Sequence, residues 1–268
     1  MDIEKLTVEL RPRPHWQAID LGFALLRGRM GTVFAAWWAV WAAIVLASCA
    51  ASWSWPKWFG LFLMLPWALR PALERIVVHI LSRAVFGEEV TWKQAVRAWP
   101  STWKGGMVHV LTWWRLWALG RSFLQPIWQL EGVRGEVAAR RREALSRQGT
   151  GKAAALWGGT CAHLEFVLWT ALLGLVALFS PQGSNGNPFA FLVESMGVDP
   201  DSLHALLGAL TYGITLGLVG PFYAACGFTL YLNRRAELEA WDIELALRKL
   251  QRRRASSRDA TSSAEALP

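Results

Sequence analysis

Residues 203–232, LHALLGALTYGITLGLVGPFYAACGFTLYL, form a run of thirty residues without a charged side chain. The run ends at Asn233-Arg234-Arg235, and a mixed-charge segment of helical period, AELEAWDIELALRKLQRRR at 236–254, follows it. About 20 apolar residues are enough for a helix to cross the hydrocarbon core of a bilayer. The order therefore predicts a membrane-crossing helix, then an amphipathic cytoplasmic helix at 236–254, and finally a disordered tail at 255–268.

Small residues form one stripe along this run. They recur at steps of three and four residues, so they share one helical face: Ala209, Gly213, Gly217, Gly220, Ala224 and Gly227. Gly213 and Gly217 make a G-x-x-x-G pair, which is typical of closely packed membrane helices. We predict that the stripe packs against the alanine side of the first span, or else against another subunit. Thirty helical residues measure about 45 Å, so the helix must tilt, kink at Pro221 or start outside the lipid.

The composition favours an all-α, polytopic helical membrane protein. Of 268 residues, 53% are hydrophobic and only 18% are charged, whereas soluble domains carry more charge. The net charge of +8 comes from basic clusters in the gaps between apolar runs, which indicates a positive-inside pattern rather than a nucleic-acid-binding face. Most of the 18 tryptophans lie at predicted span ends, where they are expected to act as interfacial anchors; the alternative is an aromatic cage for a cation.

The apolar runs and basic gaps define an integral membrane domain at 30–235. We predict four full spans, at about 30–52, 58–80, 153–179 and 203–232. The segment 180–202 contains no Lys or Arg and is predicted to lie outside. Both termini are then expected in the cytoplasm, with the protein in the bacterial inner membrane.

Residues 1–29 form a cytoplasmic lead-in with one apolar helical face. Trp16, Ile19, Phe23 and Leu26 recur at helical spacing on this face. One interpretation is an amphipathic helix lying on the inner leaflet. The other is a helix packed on the protein's own cytosolic helices.

The segment 105–130 is too short and too basic at both flanks to be an ordinary span. Its apolar part, Gly105–Leu119, is only 15 residues long, and Arg121–Lys152 behind it carries seven basic residues. We predict a re-entrant or in-plane pair of short helices, hinged near Gly120 or Pro126. Two short true spans would give the same sidedness.

The first span has a small side and a bulky side. Its small side is formed by five alanines: Ala36, Ala39, Ala43, Ala47 and Ala50. Trp37, Trp41 and Ile44 mark the bulky side. Because small residues let a partner helix approach closely, we expect the alanines to face another helix and the bulky side chains to face lipid.

Seven ionisable side chains interrupt the predicted membrane elements: Arg70, Glu74, Arg75, His109, Arg115, His163 and Glu165. Such charges are costly in a bilayer unless they are paired or hydrated. Either the second span bends at Pro71 into a polar protein interior, or it reaches the inner headgroups early. His163 and Glu165 point about 200° apart on a helix and make no acid–base dyad. We predict that Glu165 pairs with an arginine such as Arg115 or Arg70; the alternative is a proton or substrate site.

No motif in the sequence indicates catalysis, a cofactor or a metal. Phosphate-cradling, dinucleotide-binding, nucleophile-elbow and zinc-protease patterns are absent. Cys49, Cys161 and Cys226 lie inside apolar runs, which predicts buried, inert thiols rather than a disulfide framework. We therefore expect a protein that is not an enzyme.

Several phrases resemble a group of uncharacterised proteobacterial inner-membrane proteins. They are LRPALER at 69–75, LSRAVFGE at 81–88 with Ala98-Trp99-Pro100, and above all Pro221-Phe222-Tyr223, GFTLYLNRR at 227–235 and LEAWDIEL at 238–245. Family members more often have Lys-Pro-Leu-Tyr-Asp-Arg at 70–75. The group is similar in layout to the membrane domain of some glycerophosphodiester phosphodiesterases, without their catalytic barrel. The resemblance implies a genomic setting of MoxR-type ATPases and transglutaminase-like membrane proteins, and no established activity.

Two functional hypotheses follow. The first is a non-enzymatic inner-membrane scaffold or assembly subunit, which contacts the lipid bilayer and other inner-membrane proteins. The second is a lipid- or solute-handling protein, or a transporter module, that uses the intramembrane charged set. The basic clusters at 140–147 and 248–254 are expected to set topology, with anionic-lipid binding as the alternative.

Overall fold

The computed structural model describes residues 11–103, 119–179 and 203–239. Within these ranges the chain is all-α, without a strand. Its α-helices are α1 (His15–Gly28), α2 (Met30–Ser54), α3 (Phe59–Val85), α4 (Trp92–Ala98), α5 (Arg121–Pro126), α6 (Gly135–Ser146), α7 (Thr150–Phe179) and α8 (Leu203–Glu239). Short 3-10 turns at Pro56–Trp58 and Trp99–Trp103 and a π-helical turn at Ile127–Glu131 complete the described part.

Helix α8 is the centre of the fold. It has 37 residues and continues through Pro221, so it measures about 55 Å. Helices α1, α2, α3, α5 and α7 all pack against it. The main core therefore gathers around one helix, and the buried rings of Phe228 and Tyr231 belong to that helix.

The small-residue stripe of α8 packs within the chain, mostly against α2. A Cβ placed on Gly213 would lie 2.6 Å from Val45, and one on Gly217 would lie 2.5 Å from the indole nitrogen of Trp41. That indole donates a 2.8 Å hydrogen bond to the Gly213 carbonyl. Gly220 faces Trp37 in the same way, which fixes an antiparallel register between the two helices.

The expectation about the two sides of α2 is wrong. Trp37 and Trp41 are fully buried, whereas most of the predicted alanine side is exposed, at Ala39, Ala43, Ala47 and Ala50. The reason is shape. The missing side chains of the α8 glycines leave grooves that fit large flat rings, and the buried area of a ring exceeds that of a methyl group.

Helix α1 runs back along α8. Ala18, Gly22 and Leu26 are buried on the side that faces α8, where a Cβ on Gly22 would lie 2.6 Å from the Cα of Cys226. Of the predicted apolar face, Leu26 is buried but Trp16 and Phe23 are 63% and 40% exposed. Helix α1 thus packs on the protein itself, but on α8, the predicted span, rather than on cytosolic helices, and through Ala18 and Gly22 beside Leu26. Trp16 is exposed, and the partly exposed ring of Phe23 contacts the rings of Trp157 and Phe222.

The start of α1 is tied to the far end of α8 by one amide. The side-chain nitrogen of Asn233 donates to the Arg13 carbonyl at 2.9 Å, and its oxygen accepts from the Arg13 backbone N–H at 2.8 Å. Asn233 is 7% exposed. These two hydrogen bonds attach the segment before α1 to α8.

Three described helices are long and apolar enough to cross a membrane: α2, α7 and α8. Helix α3 has 27 residues, but the charged residues Arg70, Glu74 and Arg75 interrupt its apolar sequence. The described part of the 105–130 element, α5 with the π turn to Glu131, covers 11 residues and about 16 Å, too short to cross. Its earlier part, 104–118, lies outside the described residues, as do 236–254 beyond Glu239 and the tail at 255–268.

Candidate functional site

The charged turn of α3 lies in the interior of the protein. Arg70 is 5% exposed, and Glu74 and Arg75 are fully buried. The side chain of Gln125, itself fully buried, donates to the Pro71 carbonyl of this turn at 2.6 Å. Of the two explanations for the charges in α3, the structure therefore shows a polar protein interior.

Four charged side chains form a chain of ion pairs across this interior, and we call them the charge cluster: Arg70, Glu74, Arg121 and Glu165. Arg121 binds Glu74 at two points, with Nη2–Oε1 at 2.6 Å and Nε–Oε2 at 3.3 Å. Arg70 lies 3.4 Å from Glu74 through Nε and 2.6 Å from Glu165 through Nη1. Two cations thus face two anions, and the cluster has no net formal charge.

Tyr223 of α8 is the neutral centre of the cluster. The guanidinium carbons of Arg70 and Arg121 lie 5.4 and 5.3 Å from the centre of its ring, within the range of cation–π contacts. Its hydroxyl donates to the Leu119 carbonyl at 2.7 Å and accepts from the Ser122 backbone N–H at 3.1 Å. The tyrosine therefore fixes the start of α5, and with it Arg121.

Helix α5 and the π-helical turn after it donate side-chain amide hydrogen bonds to the backbone of α3. Gln129 donates to the Arg75 carbonyl at 2.9 Å, one turn below the bond from Gln125 to Pro71. Arg75 itself points away from the charge cluster and donates to the carbonyl of Thr102. The Trp99 indole donates to the Ala72 carbonyl at 2.7 Å. The polar groups of the α3 turn are thus bonded from two neighbouring segments.

Two hydrogen bonds between α7 and α8 show where along these helices the charge cluster lies. The indole of Trp157 donates to the Tyr223 carbonyl at 3.4 Å, and that of Trp169 donates to the Gly208 carbonyl at 3.2 Å. Glu165 lies between these two levels. On the other side of α8, the same levels pack against the apolar residues of α2 (Met30–Ser54). The cluster is therefore enclosed beside the apolar segments of α2 and α7, not at their ends.

The structure brings together only some of the predicted ionisable set. Arg70, Glu74 and Glu165 meet, and the predicted pairing of Glu165 with Arg70 is present. Arg75 lies next to them but bonds elsewhere. His163 is exposed on another side of α7. His109 and Arg115 lie outside the described residues.

Sequence analysis missed Arg121, Tyr223 and Gln125. In the sequence, Arg121 begins the basic stretch Arg121–Lys152, Tyr223 lies in an uncharged apolar run, and Gln125 lies in the predicted 105–130 element. One signal was available. Two glutamates in apolar segments need two cations, and Arg70 can neutralise only one of them fully.

A second ionic network lies two turns further along α8, and we call it the Arg141 network: Glu131, Arg141, Tyr231, Arg235 and Glu239. Arg141 binds Glu131 at 2.8 and 3.0 Å and Glu239 at 2.7 Å. Its hydrogen bonds to the Glu131 carboxylate raise the pKa of the Arg141 guanidinium, so the charge is permanent. Tyr231 donates to Glu131 at 2.7 Å. The network ties α6 and the π turn to the end of α8.

The basic cluster at 140–147 is largely engaged within the chain. Arg140 pairs with Glu136, Arg147 pairs with Glu143, and the guanidinium of Arg142 lies 5.3 Å from the ring centre of Trp128. With Arg141 in its own network, each arginine of this cluster has a partner on the protein. The Arg140–Glu136 and Arg147–Glu143 pairs are exposed, so both arginines stay accessible from outside the protein.

Within 11–103, 119–179 and 203–239, no three His, Cys, Asp or Glu side chains are grouped as metal ligands would be. The cysteines in these ranges are free thiols, with Cys161 and Cys226 buried and Cys49 half-buried. Comparisons with protein-family models, curated proteins and solved structures find nothing that matches the chain. The fold and the cluster define an all-α protein with candidate membrane-spanning helices, and its resemblance to a family stays a prediction.

Proposed function

We propose that the protein is a non-enzymatic scaffold or assembly subunit of the bacterial inner membrane. The observation that carries this proposal is the internal neutralisation of the charge cluster. Its two arginines and two glutamates come from α3, α5 and α7 and surround Tyr223 of α8. A set of ion pairs that joins four helices favours one arrangement of these helices, and its charges balance within the chain.

The outer surface of α7 supports the same proposal. Large apolar side chains are exposed along the length of this helix, at Leu156, Leu164, Phe166, Leu175 and Leu178. In a bilayer such a surface contacts lipid or the helices of other membrane proteins. A scaffold needs an accessible helix of this kind.

The proposed topology has both termini in the cytoplasm. Helices α2, α7 and α8 cross the membrane, and α3 crosses as the fourth span because its charged turn is enclosed by protein. The 105–130 element enters and leaves on the cytoplasmic side. Exposed Trp53, Trp55 and Trp58 at the junction of α2 and α3 then form the outer interfacial belt.

Affinity purification of the full chain from membranes in a mild detergent tests this function. We expect the same inner-membrane proteins to be recovered in fixed ratio over repeated purifications. A tagged inner-membrane protein of similar abundance is the control for adventitious recovery. Repeated recovery of this chain alone would contradict the proposal.

One observation favours the second candidate, a lipid- or solute-handling protein. Arg70 is buried, yet its Nε and Nη2 groups have no hydrogen-bond acceptor. A lipid phosphate or a carboxylate of a solute would satisfy both groups. Native mass spectrometry should then find an anionic lipid or solute retained by the purified protein and lost in Arg70→Gln. Equal retention by both proteins would reject this candidate.

A further inference from the structure

His163 is an imidazole on the outer face of α7, next to exposed apolar side chains such as Leu164 and Phe166. The side chain is exposed, and it makes no hydrogen bond or ion pair with any residue in the described part of the chain. It lies six residues from Trp157 and six from Trp169. Those two indoles bind α8 at Tyr223 and Gly208, so His163 lies midway between these levels.

That level is the middle of the apolar layer. It corresponds to the Gly213–Gly217 part of α8, which packs on Val45 and Trp41 near the centre of α2 (Met30–Ser54). An imidazole is too short to reach either headgroup region from there. Its N–H donor and its nitrogen acceptor would both be unsatisfied in hydrocarbon, which is why polar residues at this depth usually face protein.

The neighbouring surface permits close approach of another helix. Gly159, one turn from His163, has no heavy atom within 4 Å of a Cβ built on it, so the helix surface is open there. Ala162 is also exposed. Membrane helices associate where small residues let backbones come together and where a polar side chain finds a partner.

We propose that this face of α7 is the interface of a homodimer, occupied by α7 of a second copy of the chain. All copies insert into a membrane in the same orientation, so a twofold axis normal to the bilayer places His163 opposite His163 at one depth. A neutral imidazole carries one donor and one acceptor, so one ring can donate to the other. A helix of another protein would need a matching polar group at the same depth, whereas the second copy supplies it by symmetry.

This inference rests on α7 crossing a bilayer, which belongs to the proposed function, but it does not require any other partner protein. The test uses the full chain labelled with donor and acceptor dyes and reconstituted into lipid vesicles. Energy transfer is measured as the protein is diluted with lipid. Wild-type protein is expected to show transfer from a dimer that dissociates on dilution.

Two variants act on the interface in different ways. His163→Leu removes the polar contact and should shift the midpoint of dissociation by about tenfold toward higher protein density, the size of effect for an interhelical hydrogen bond. Gly159→Leu places a bulky side chain on this face and should shift the midpoint further, and a Cβ at this position meets no atom of the monomer. Gly60→Leu on α3 is the matched control, because a Cβ there also meets nothing, and it should leave the midpoint unchanged.

Wild-type protein that stays monomeric at every dilution would overturn the proposal, as would His163→Leu or Gly159→Leu that dimerises like wild type. Resistance of the chain to alkaline extraction from native membranes separates the two levels of the argument. If alkaline treatment extracts the chain from the membrane, both the homodimer proposal and the proposed membrane function are contradicted. If the chain resists extraction but is monomeric, only the homodimer proposal is contradicted.

Discussion

Arg121 and Glu74 form a two-point ion pair inside the protein, with 2.6 Å between Nη2 and Oε1 and 3.3 Å between Nε and Oε2. Glu74 is fully buried, and it also lies 3.4 Å from Arg70. One carboxylate thus compensates parts of two buried cations. Because removal of this carboxylate would leave both arginines without that compensation, the stability of the bundle depends on Glu74.

Replacing Glu74 by Gln is therefore expected to destabilise the protein by about 3–5 kcal/mol, the usual loss when one partner of a buried ion pair is removed. The double variant Glu74→Gln/Arg121→Met should lose less than the sum of the two single variants, because Arg70 keeps Glu165. Unfolding in mixed detergent micelles measures these free energies. Arg83→Gln is the control, since the Arg83–Glu88 pair is exposed and contributes about 0–1 kcal/mol. Additive losses in the double variant would contradict the coupling.

Tyr223→Phe tests the neutral centre of the cluster. The variant keeps the ring between the two guanidinium groups and removes only the hydroxyl. The buried Ser122 N–H and the Leu119 carbonyl then lose a partner, which should cost about 1–3 kcal/mol. The start of α5 should also become more open, seen as faster amide hydrogen exchange at Ser122 and Phe123. Unchanged exchange there would show that α5 is held by its apolar contacts instead.

The sequence is sufficient for the helical class, for the three long apolar helices α2, α7 and α8, and for the pairing of Glu165 with an arginine, which the structure shows to be Arg70. It is also sufficient to identify the small face of α8. It could not show what fills that face. Periodicity separates the two sides of α2 but does not tell which side is buried, and Trp41 fits Gly217 because of a groove that exists only after the two helices meet.

Arg121 shows a second limit of the same kind. It lies next to Gly120, a predicted hinge, and begins the basic stretch Arg121–Lys152, and neither feature indicates a buried pair. Yet its side chain is 11% exposed and bonded to Glu74 of α3, 47 residues earlier. The local sequence pattern predicts whether a segment is polar or apolar and helical. A buried ion pair depends instead on which residues of two distant segments come into contact in the folded protein. For this reason the sequence predicts the cluster residues of α3 and α7 but not Arg121, which completes the charge balance.

Gly22→Ala tests the packing of α1 on α8. The added methyl group would meet the Cα of Cys226 at 2.6 Å, and backbone cannot move aside as a side chain can. We expect α1 to be displaced and the protein to be destabilised by about 1–3 kcal/mol, as for overpacked cores. Gly28→Ala is the matched control in the same helix, because a Cβ there meets nothing. Thermal unfolding in detergent compares the two, and equal midpoints would contradict the close contact.

Asn233→Ala should detach the start of α1 without unfolding the rest of the molecule. The substitution removes both bonds to the Arg13 backbone, together worth about 1–2 kcal/mol for neutral groups that are partly accessible. Local opening would then become about five- to thirtyfold more frequent, since about 1.4 kcal/mol corresponds to a factor of ten. The readout is amide hydrogen exchange in α1, which should accelerate by that factor while the exchange of α2 stays constant. Arg147→Ala, which removes an exposed pair with Glu143, is the control and should leave α1 unchanged. If exchange in α1 does not respond to the loss of Asn233, the helix is held by Ala18, Gly22 and Leu26. The Asn233 side chain would then contribute nothing measurable to the attachment of α1 to α8.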